Sequence, residues 1–302
     1  MTGTAATITR ISDRAELQAW RQAMRAKNPR ATIALVPTMG ALHDGHLALV
    51  EAAKRSADKV IVSIFVNPLQ FGPQEDFSRY PRTLDKDLEL LSKAGADAVF
   101  HPEITVIYPH GDAEVTRVIP PAALTEKLCG RFRPGHFTGV ATVVNILFNL
   151  VEPDKAFFGE KDYQQLAIIR KMVADLSMNV DVVGVPIVRE SDGLAMSSRN
   201  VYLDPIQRNT APKLQETLIS VRDSLLREFD QKGTKGETAV EAILTAATAQ
   251  LNSLPGVCVQ YLECCDPVSL DAIVTPSLPF VLLVAAKLGD VRLIDNLIVT
   301  GK

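Results

Sequence analysis

The sequence predicts an α/β protein, a Rossmann-like doubly wound parallel sheet over residues 1–188 followed by a smaller C-terminal α+β domain over 189–302. Three observations carry that reading. Continuous β-branched runs alternate with amphipathic segments through the first two-thirds of the chain, as a parallel sheet covered on both faces requires. After about residue 190 the alternation stops, and two helix-like segments precede three strand-like ones. A chain of 302 residues also has the length of about two domains.

Element by element, "ATIALVP" (31–37) predicts a buried strand and "HLALVEAAKRSA" (46–57) an amphipathic helix. "VIVSIFVN" (60–67) predicts the next strand, residues 84–97 a helix ending at Gly95, and "AVFHP" a strand after it. A helix over 140–151, a strand over 155–159, a helix over 163–176 and a strand over 180–188 complete the series. Beyond it, helices are predicted over 205–229 and 237–251, separated by "QKGTKG". "VCVQYLEC", "FVLLVAAK" and "VRLIDNLIV" read as strands, and "KLGD" (287–290) as the hairpin turn between the last two.

Composition narrows the function classes. Hydrophobic residues make up 47% and charged residues 22%, which is ordinary for a folded soluble protein. A net charge of −3 gives no electrostatic case for a nucleic-acid partner. The N-terminal residues lack the basic start and apolar core of a secretory signal, and the apolar run Phe280–Ala286 is too short to span a bilayer. The expectation is a cytoplasmic protein without a membrane partner. Cys129, Cys258, Cys264 and Cys265 have neither CxxC spacing nor suitably spaced histidines, so they read as idle thiols rather than zinc ligands.

In a sheet of this kind ligands sit outside the carboxyl ends of the strands, so residues just after each strand become the candidates. After the first predicted strand comes "PTMGALHDGH" (37–46), with His43 and His46 at a strand–turn–helix junction. A helix N-terminus suits a phosphate, Gly45 lets backbone approach it, and two imidazoles can donate hydrogen bonds to its oxygens. Neither GxxxxGK[ST] nor a GxGxxG after the first strand is present, which excludes a P-loop and a dinucleotide fingerprint.

The second predicted strand leads to Asn67 and Gln70, uncharged amides that can orient a hydroxyl or a carboxylate. "FFGEKDYQQL" (157–166) repeats the geometry, with Lys161 at a helix start where only an anion would favour a cation. Asp162 suits either a helix cap or a ribose hydroxyl, and Gln165 lies one helical turn beyond Lys161. Ser197, Ser198 and Arg199 form a donor-rich loop after the last predicted strand. Chemistry by positioning and charge stabilisation on a nucleotide is the economical reading. A nucleotidylyltransferase and a non-catalytic nucleotide-binding module are the rival readings.

The strings "PTMGALHDGH", "FVNPLQF", "YPRT", "RPGHFTGV", "FGEKDYQQL" and "DGLAMSSRN", in this order over residues 37–200, resemble the pantoate–β-alanine ligase (pantothenate synthetase) family. That family belongs to the wider HxGH nucleotidylyltransferase superfamily. The resemblance implies ATP-dependent condensation of pantoate with β-alanine through a pantoyl adenylate, releasing AMP and pyrophosphate. It implies an ATP loop from Pro37 and Thr38 through Met39, Gly40, Ala41, Leu42, His43, Asp44 and Gly45 to His46. His46 would be the proton donor, and His43 and Lys161 the catalytic phosphate contacts. Gly159, Glu160, Lys161 and Asp162 would hold ribose and phosphate, Val188 the adenine side, and Met196, Ser197, Ser198 and Arg199 the triphosphate. Gln70, Gln165, Asn67 and Met39 would bind pantoate or β-alanine. Magnesium is implied as the counter-ion of ATP, with Asp87 near it in an outer shell. A homodimer and a C-terminal lid complete what the resemblance implies.

Overall fold

Six strands pair into one parallel sheet: β1 (Thr9–Ile11), β2 (Ile33–Thr38), β3 (Lys59–Ile64), β4 (Ala98–Phe100), β5 (Lys155–Gly159) and β6 (Asp181–Val185). The computed structural model describes residues 8–73, 75–231, 236–274 and 277–300. These divide into two units. The first takes in the described residues up to Glu126, Arg133–Glu160 and Gln165–Pro186; the second takes in Lys127–Phe132, Lys161–Gln164 and the described residues from Ile187.

In the first unit the strand order is β1-β4-β3-β2-β5-β6. The chain steps outward from β2 through β3 to β4, then returns to the other side of β2 for β5. The order therefore reverses between β2 and β5, the place where such sheets leave a crevice for a ligand. The ladders show the crevice opening. β2 pairs with β3 over all six residues but with β5 only at Ala34 and Leu35, so β2 and β5 part before Pro37.

Both faces of β2 are buried, which explains its unbroken apolar run. Ile33 and Leu35 pack with Val140, Ala141 and Leu147 of the helix His136–Val151, whereas Ala34 and Val36 pack with Leu49, Val50 and Ala53 of the helix Asp44–Lys54. In chain order the long helices are α1 (Arg14–Lys27), α2 (Asp44–Lys54), α3 (Leu84–Ala94), α4 (His136–Val151), α5 (Tyr163–Asp175), α6 (Lys213–Gln231) and α7 (Gly236–Asn252).

The second unit contains an antiparallel sheet of β7 (Val257–Cys265), β8 (Phe280–Leu288) and β9 (Val291–Val299), in that order. Leu214, Leu218, Val221 and Leu225 of α6, with Val240 and Leu251 of α7, share a core with Phe280, Leu282, Val284 and Ala286 of β8. The turn predicted at "KLGD" joins β8 to β9, with Gly289 at φ +57 and Leu288 paired to Val291.

Several boundaries differ from expectation for local reasons. The helix expected over 205–229 is two helices, Pro205–Thr210 and α6, because Pro212 has no N–H with which to continue the first. The strand expected to reach residue 188 stops at Val185, one residue before Pro186. The helix expected from 140 begins at His136, after Gly135 at φ +79. Of the predicted separator "QKGTKG", residues 232–235 lie outside the described residues. Strand β1 and helix α1, with Asp13 Oδ1 accepting from Glu16 N at 2.8 Å as its cap, are additional to the expectation.

Candidate active site

At the carboxyl end of β2 the chain turns through Gly40 at φ +81 and Ala41 at φ +51. A left-handed pair is costly for a non-glycine residue and needs a restraint. Asp87 of α3 provides it. Its Oδ2 accepts from Ala41 N and its Oδ1 from Leu42 N, each at 2.9 Å, while Thr83 Oγ1 donates to Oδ1 at 3.1 Å. Space at Gly40 is tight as well, since a Cβ there would lie 3.1 Å from Asp87 Oδ2 and from Ile64 Cγ2. Thr38 secures the strand end by donating to Ser63 O at 2.8 Å and accepting from Gly40 N at 3.2 Å. Asp87 is 1% exposed, and both of its oxygens are engaged by the loop. The structure thus gives it a loop-holding task.

The loop delivers His43 as the N-cap of α2. His43 Nδ1 accepts from Gly45 N at 3.1 Å, and His46 Nδ1 accepts from His43 N at 3.4 Å, so two imidazoles form the reciprocal cap usually made by Ser and Glu. A ring nitrogen that accepts carries no proton, so each neutral ring bears its proton on Nε2. The ring centroids are 4.2 Å apart. One helix N-terminus therefore combines backbone N–H groups, dipole and two imidazole donors, a set suited to phosphate oxygens.

Past β3, Asn67 begins the 3-10 turn Pro68–Gln70. Its Oδ1 accepts from Leu69 N at 3.2 Å and from Tyr108 Oη at 2.7 Å; its Nδ2 donates to Gly139 O at 3.1 Å and to Gln70 Oε1 at 3.2 Å. At 1% exposure, with its oxygen and its nitrogen both engaged, Asn67 helps to hold Gln70 through its amide. Gln70 Nε2 in turn donates to Met39 Sδ at 2.9 Å, tying the turn to the β2 loop.

The Gln70 backbone is clamped as well. His136 Nδ1 lies 2.7 Å from Gln70 O, and Arg133 Nη2 donates to the same oxygen at 3.2 Å. Arg133 also grips Glu75 through Nε–Oε1 at 2.6 Å and Nη2–Oε2 at 2.5 Å. Burial raises the Glu75 carboxyl's proton affinity, but the Arg133 hydrogen bonds and charge outweigh it and hold the group below its ordinary value. The helix α4 comes so close that a Cβ on Gly139 would sit 2.2 Å from Leu69 O and 2.8 Å from Gln70 N.

After β5 the first unit contributes Gly159, where an added Cβ meets nothing within 4 Å, and Glu160. Burial pushes the Glu160 carboxyl up, opposed by the Arg170 charge. Gln165 is half-buried on α5. Lys161 lies in the 3-10 turn Glu160–Asp162, and α5 starts only at Tyr163, so helical spacing does not run from Lys161 to Gln165 as the sequence suggests.

Lys161 and Asp162 group with the second unit. There Lys161 O accepts from Asn296 Nδ2 at 2.9 Å. Val188 O accepts from Met196 N at 3.0 Å, closing a short hairpin that turns at Gly193, φ +93. Met196 leads into Ser197, whose Oγ accepts from Arg199 N at 3.2 Å and caps the 3-10 turn Ser198–Tyr202. The residues expected to hold ligands thus fall into two groups, each with a built scaffold of its own.

Comparison with known proteins gives this arrangement its family. The sequence profile described as Pantoate-beta-alanine ligase matches residues 9–298. The chain belongs to the pantoate–β-alanine ligase family. Within it, the pantothenate synthetase of Chromohalobacter salexigens is 51% identical over 290 residues, 96% of this chain and 98% of that one. The crystal structure of pantothenate synthetase from Thermus thermophilus superimposes with a TM-score of 0.86 at 46% identity, covering 97% of this chain and 100% of that one. The pantoate–β-alanine ligase of Francisella tularensis, complexed with β-γ ATP and β-alanine, gives a TM-score of 0.76 at 32% identity over 97% and 99% of the two chains.

Sequence reasoning about this ligase chain leaves out the clamp on Gln70. His136 and Arg133 are visible in "RPGHF", but their partners are not. Glu75 lies 58 residues from Arg133, and Gln70 lies 66 residues from His136.

Proposed function

We propose that this chain makes pantothenate in two steps on one nucleotide. The overall reaction, ATP-dependent condensation of pantoate with β-alanine, follows from the family to which the chain belongs. First a pantoate carboxylate oxygen attacks the α-phosphorus of ATP, and the bond from that phosphorus to its bridging oxygen breaks. Pantoyl adenylate and pyrophosphate result. Then the β-alanine amine attacks the acyl carbon and AMP leaves.

The observation that carries the residue assignment is the double-imidazole cap of α2 at the mouth of the β2–β5 crevice. Nε2–H of His46 and of His43 donate to phosphate oxygens as charge passes to the departing pyrophosphate. Lys161 supplies a point charge to the phosphates, and Met196–Arg199 follow the triphosphate. Gly159, Glu160 and Asp162 are assigned to ribose, and Val188 to the adenine side. Gln70, held by Asn67 and Met39, and Gln165 orient pantoate for in-line attack.

Magnesium is assigned to the nucleotide. Among the described residues no three His, Cys, Asp or Glu side chains converge as a metal cage. An ion held mainly by phosphate oxygens and water needs none, and when bound it neutralises phosphate charge. A cytoplasmic setting is proposed on the four free thiols, three of them buried. No helix of the described residues is long and apolar enough to cross a membrane. A homodimer is also proposed, and a single-chain mass in sedimentation would remove that assignment.

The decisive experiment is pyrophosphate–ATP isotope exchange with magnesium and pantoate but without β-alanine. Pantoate-dependent exchange is expected. If ATP binds without exchange, AMP release with all three substrates means that β-alanine must bind first, and no AMP release means that pantoate is the wrong acid.

A further inference from the structure

Two neighbouring polar residues interrupt the apolar pattern of β9. Asp295 is 3% exposed and Asn296 2%, in a strand otherwise built of Val291, Leu293, Leu297 and Val299 around the second unit's core. A buried carboxylate and a buried amide are unfavourable unless every group finds a partner. Both do. Arg189 closes a fork on Asp295, Nη1–Oδ2 at 2.7 Å and Nη2–Oδ1 at 2.9 Å, and also donates to Gly193 O at 2.9 Å and Asn296 O at 3.3 Å. Asn296 Nδ2 donates to Lys161 O at 2.9 Å.

These partners belong to the two stretches assigned to the nucleotide. Arg189 sits between Val188 and the hairpin that runs to Met196, and forms a bridge with Ala195 on the opposite limb. Lys161 is the assigned phosphate cation. Adjacent residues of a strand point to opposite faces, so one dipeptide can hold two segments at once.

We propose that Asp295 and Asn296 are positioning residues of the nucleotide site. Asn296 fixes the backbone from which Lys161 extends, and Asp295, through Arg189, fixes the hairpin between Val188 and Met196. The proposal rests on the nucleotide assignment of those two stretches.

A double-mutant cycle in the exchange assay tests it. Lys161→Ala establishes the base reading by raising the ATP KM or lowering the exchange rate. Asn296→Ala is expected to raise the ATP KM roughly tenfold, the range of one lost buried hydrogen bond, with the pantoate KM within about twofold. In the Lys161→Ala background the same change should have little further effect, because it acts through Lys161. Asn296→Leu, close to the same shape without an N–H for the carbonyl, reads the same loss should the alanine variant fold poorly. Arg189→Lys, which loses the fork, should likewise raise the ATP KM selectively.

Additive effects of Asn296→Ala and Lys161→Ala, or equal rises in both substrates' KM values, would overturn the positioning role and leave a structural one. If Lys161→Ala changes nothing, the nucleotide reading of Lys161 fails first and takes the proposal with it.

Discussion

Around Gln70 the chain assembles a buried asparagine, a tyrosine hydroxyl, a close glycine contact and an arginine–glutamate pair; around Lys161 an amide from β9 holds the backbone carbonyl. The first arrangement fixes both the side chain and the backbone of a neutral ligand contact. The second fixes a backbone and lets a long cation extend from it. That contrast suits the two proposed tasks. Discriminating a small hydroxy-acid needs amides held within a narrow geometry, because an unpaired or displaced polar contact is what rejects an analogue. Following charge along a triphosphate needs a cation with some freedom of reach.

The largest expected effect tests the element outside this contrast. His46→Ala should retain the fold, since the cap bond that the ring accepts is a long one at 3.4 Å, yet lose about 10²–10⁴-fold in adenylate formation. Exchange kinetics beside a melting curve give both numbers. A near-normal exchange rate would take the imidazole out of the chemistry and leave only the cap.

Gly139→Ala then tests the rigid side. Backbone at 2.2 Å cannot yield as a side chain would, so the Leu69–Gln70 segment must move. A loss of about 1–3 kcal/mol in stability is expected, with the pantoate KM rising well beyond the ATP KM. Equal changes in the two would show that the close contact serves packing alone. Asp87→Asn probes the loop in between. It keeps the shape but turns an amide toward Ala41 N or Leu42 N, and a roughly tenfold rise in the ATP KM is expected. A rise confined to pantoate would mean that Asp87 serves a different part of the site.

The sheet and the second unit's hairpin are legible in the sequence because they depend on local pattern: continuous β-branched runs, and a glycine between two apolar stretches. The helix α1 escapes because its apolar positions, Leu17, Trp20 and Met24, share one face but are few in an otherwise polar stretch, and only Leu17 is fully buried. Within the site, His43 and His46 are legible because a strand, a turn and a helix start fall together in one short string. The partners of Asn67 and Asp87 are not legible, for a single reason. Whether an amide or a carboxylate faces ligand or its own fold is decided by partners far away in sequence: Tyr108 and Gly139 are 41 and 72 residues from Asn67, and Ala41 is 46 from Asp87. Asp295 and Asn296 are hidden for the same reason, inside a stretch that reads simply as a strand.

The smallest effect is a pH dependence that should mark only the Gln70 side. Glu75 is held below its ordinary value by Arg133 despite the opposing effect of burial, so the folded state binds this proton less readily than the unfolded chain does. Its stabilising contribution is complete above the ordinary glutamate value and is lost as pH falls through the lower folded value. The loss therefore begins only below about pH 4.3. Protonation there weakens the grip on Arg133, whose Nη2 also donates to Gln70 O, so the pantoate KM should rise on the acid limb while the ATP KM follows a flatter course. Glu75→Gln should show the raised pantoate KM at neutral pH and a shallower acid limb. An identical acid limb in the wild type and Glu75→Gln would assign that titration to another group and detach Glu75 from the positioning of Gln70.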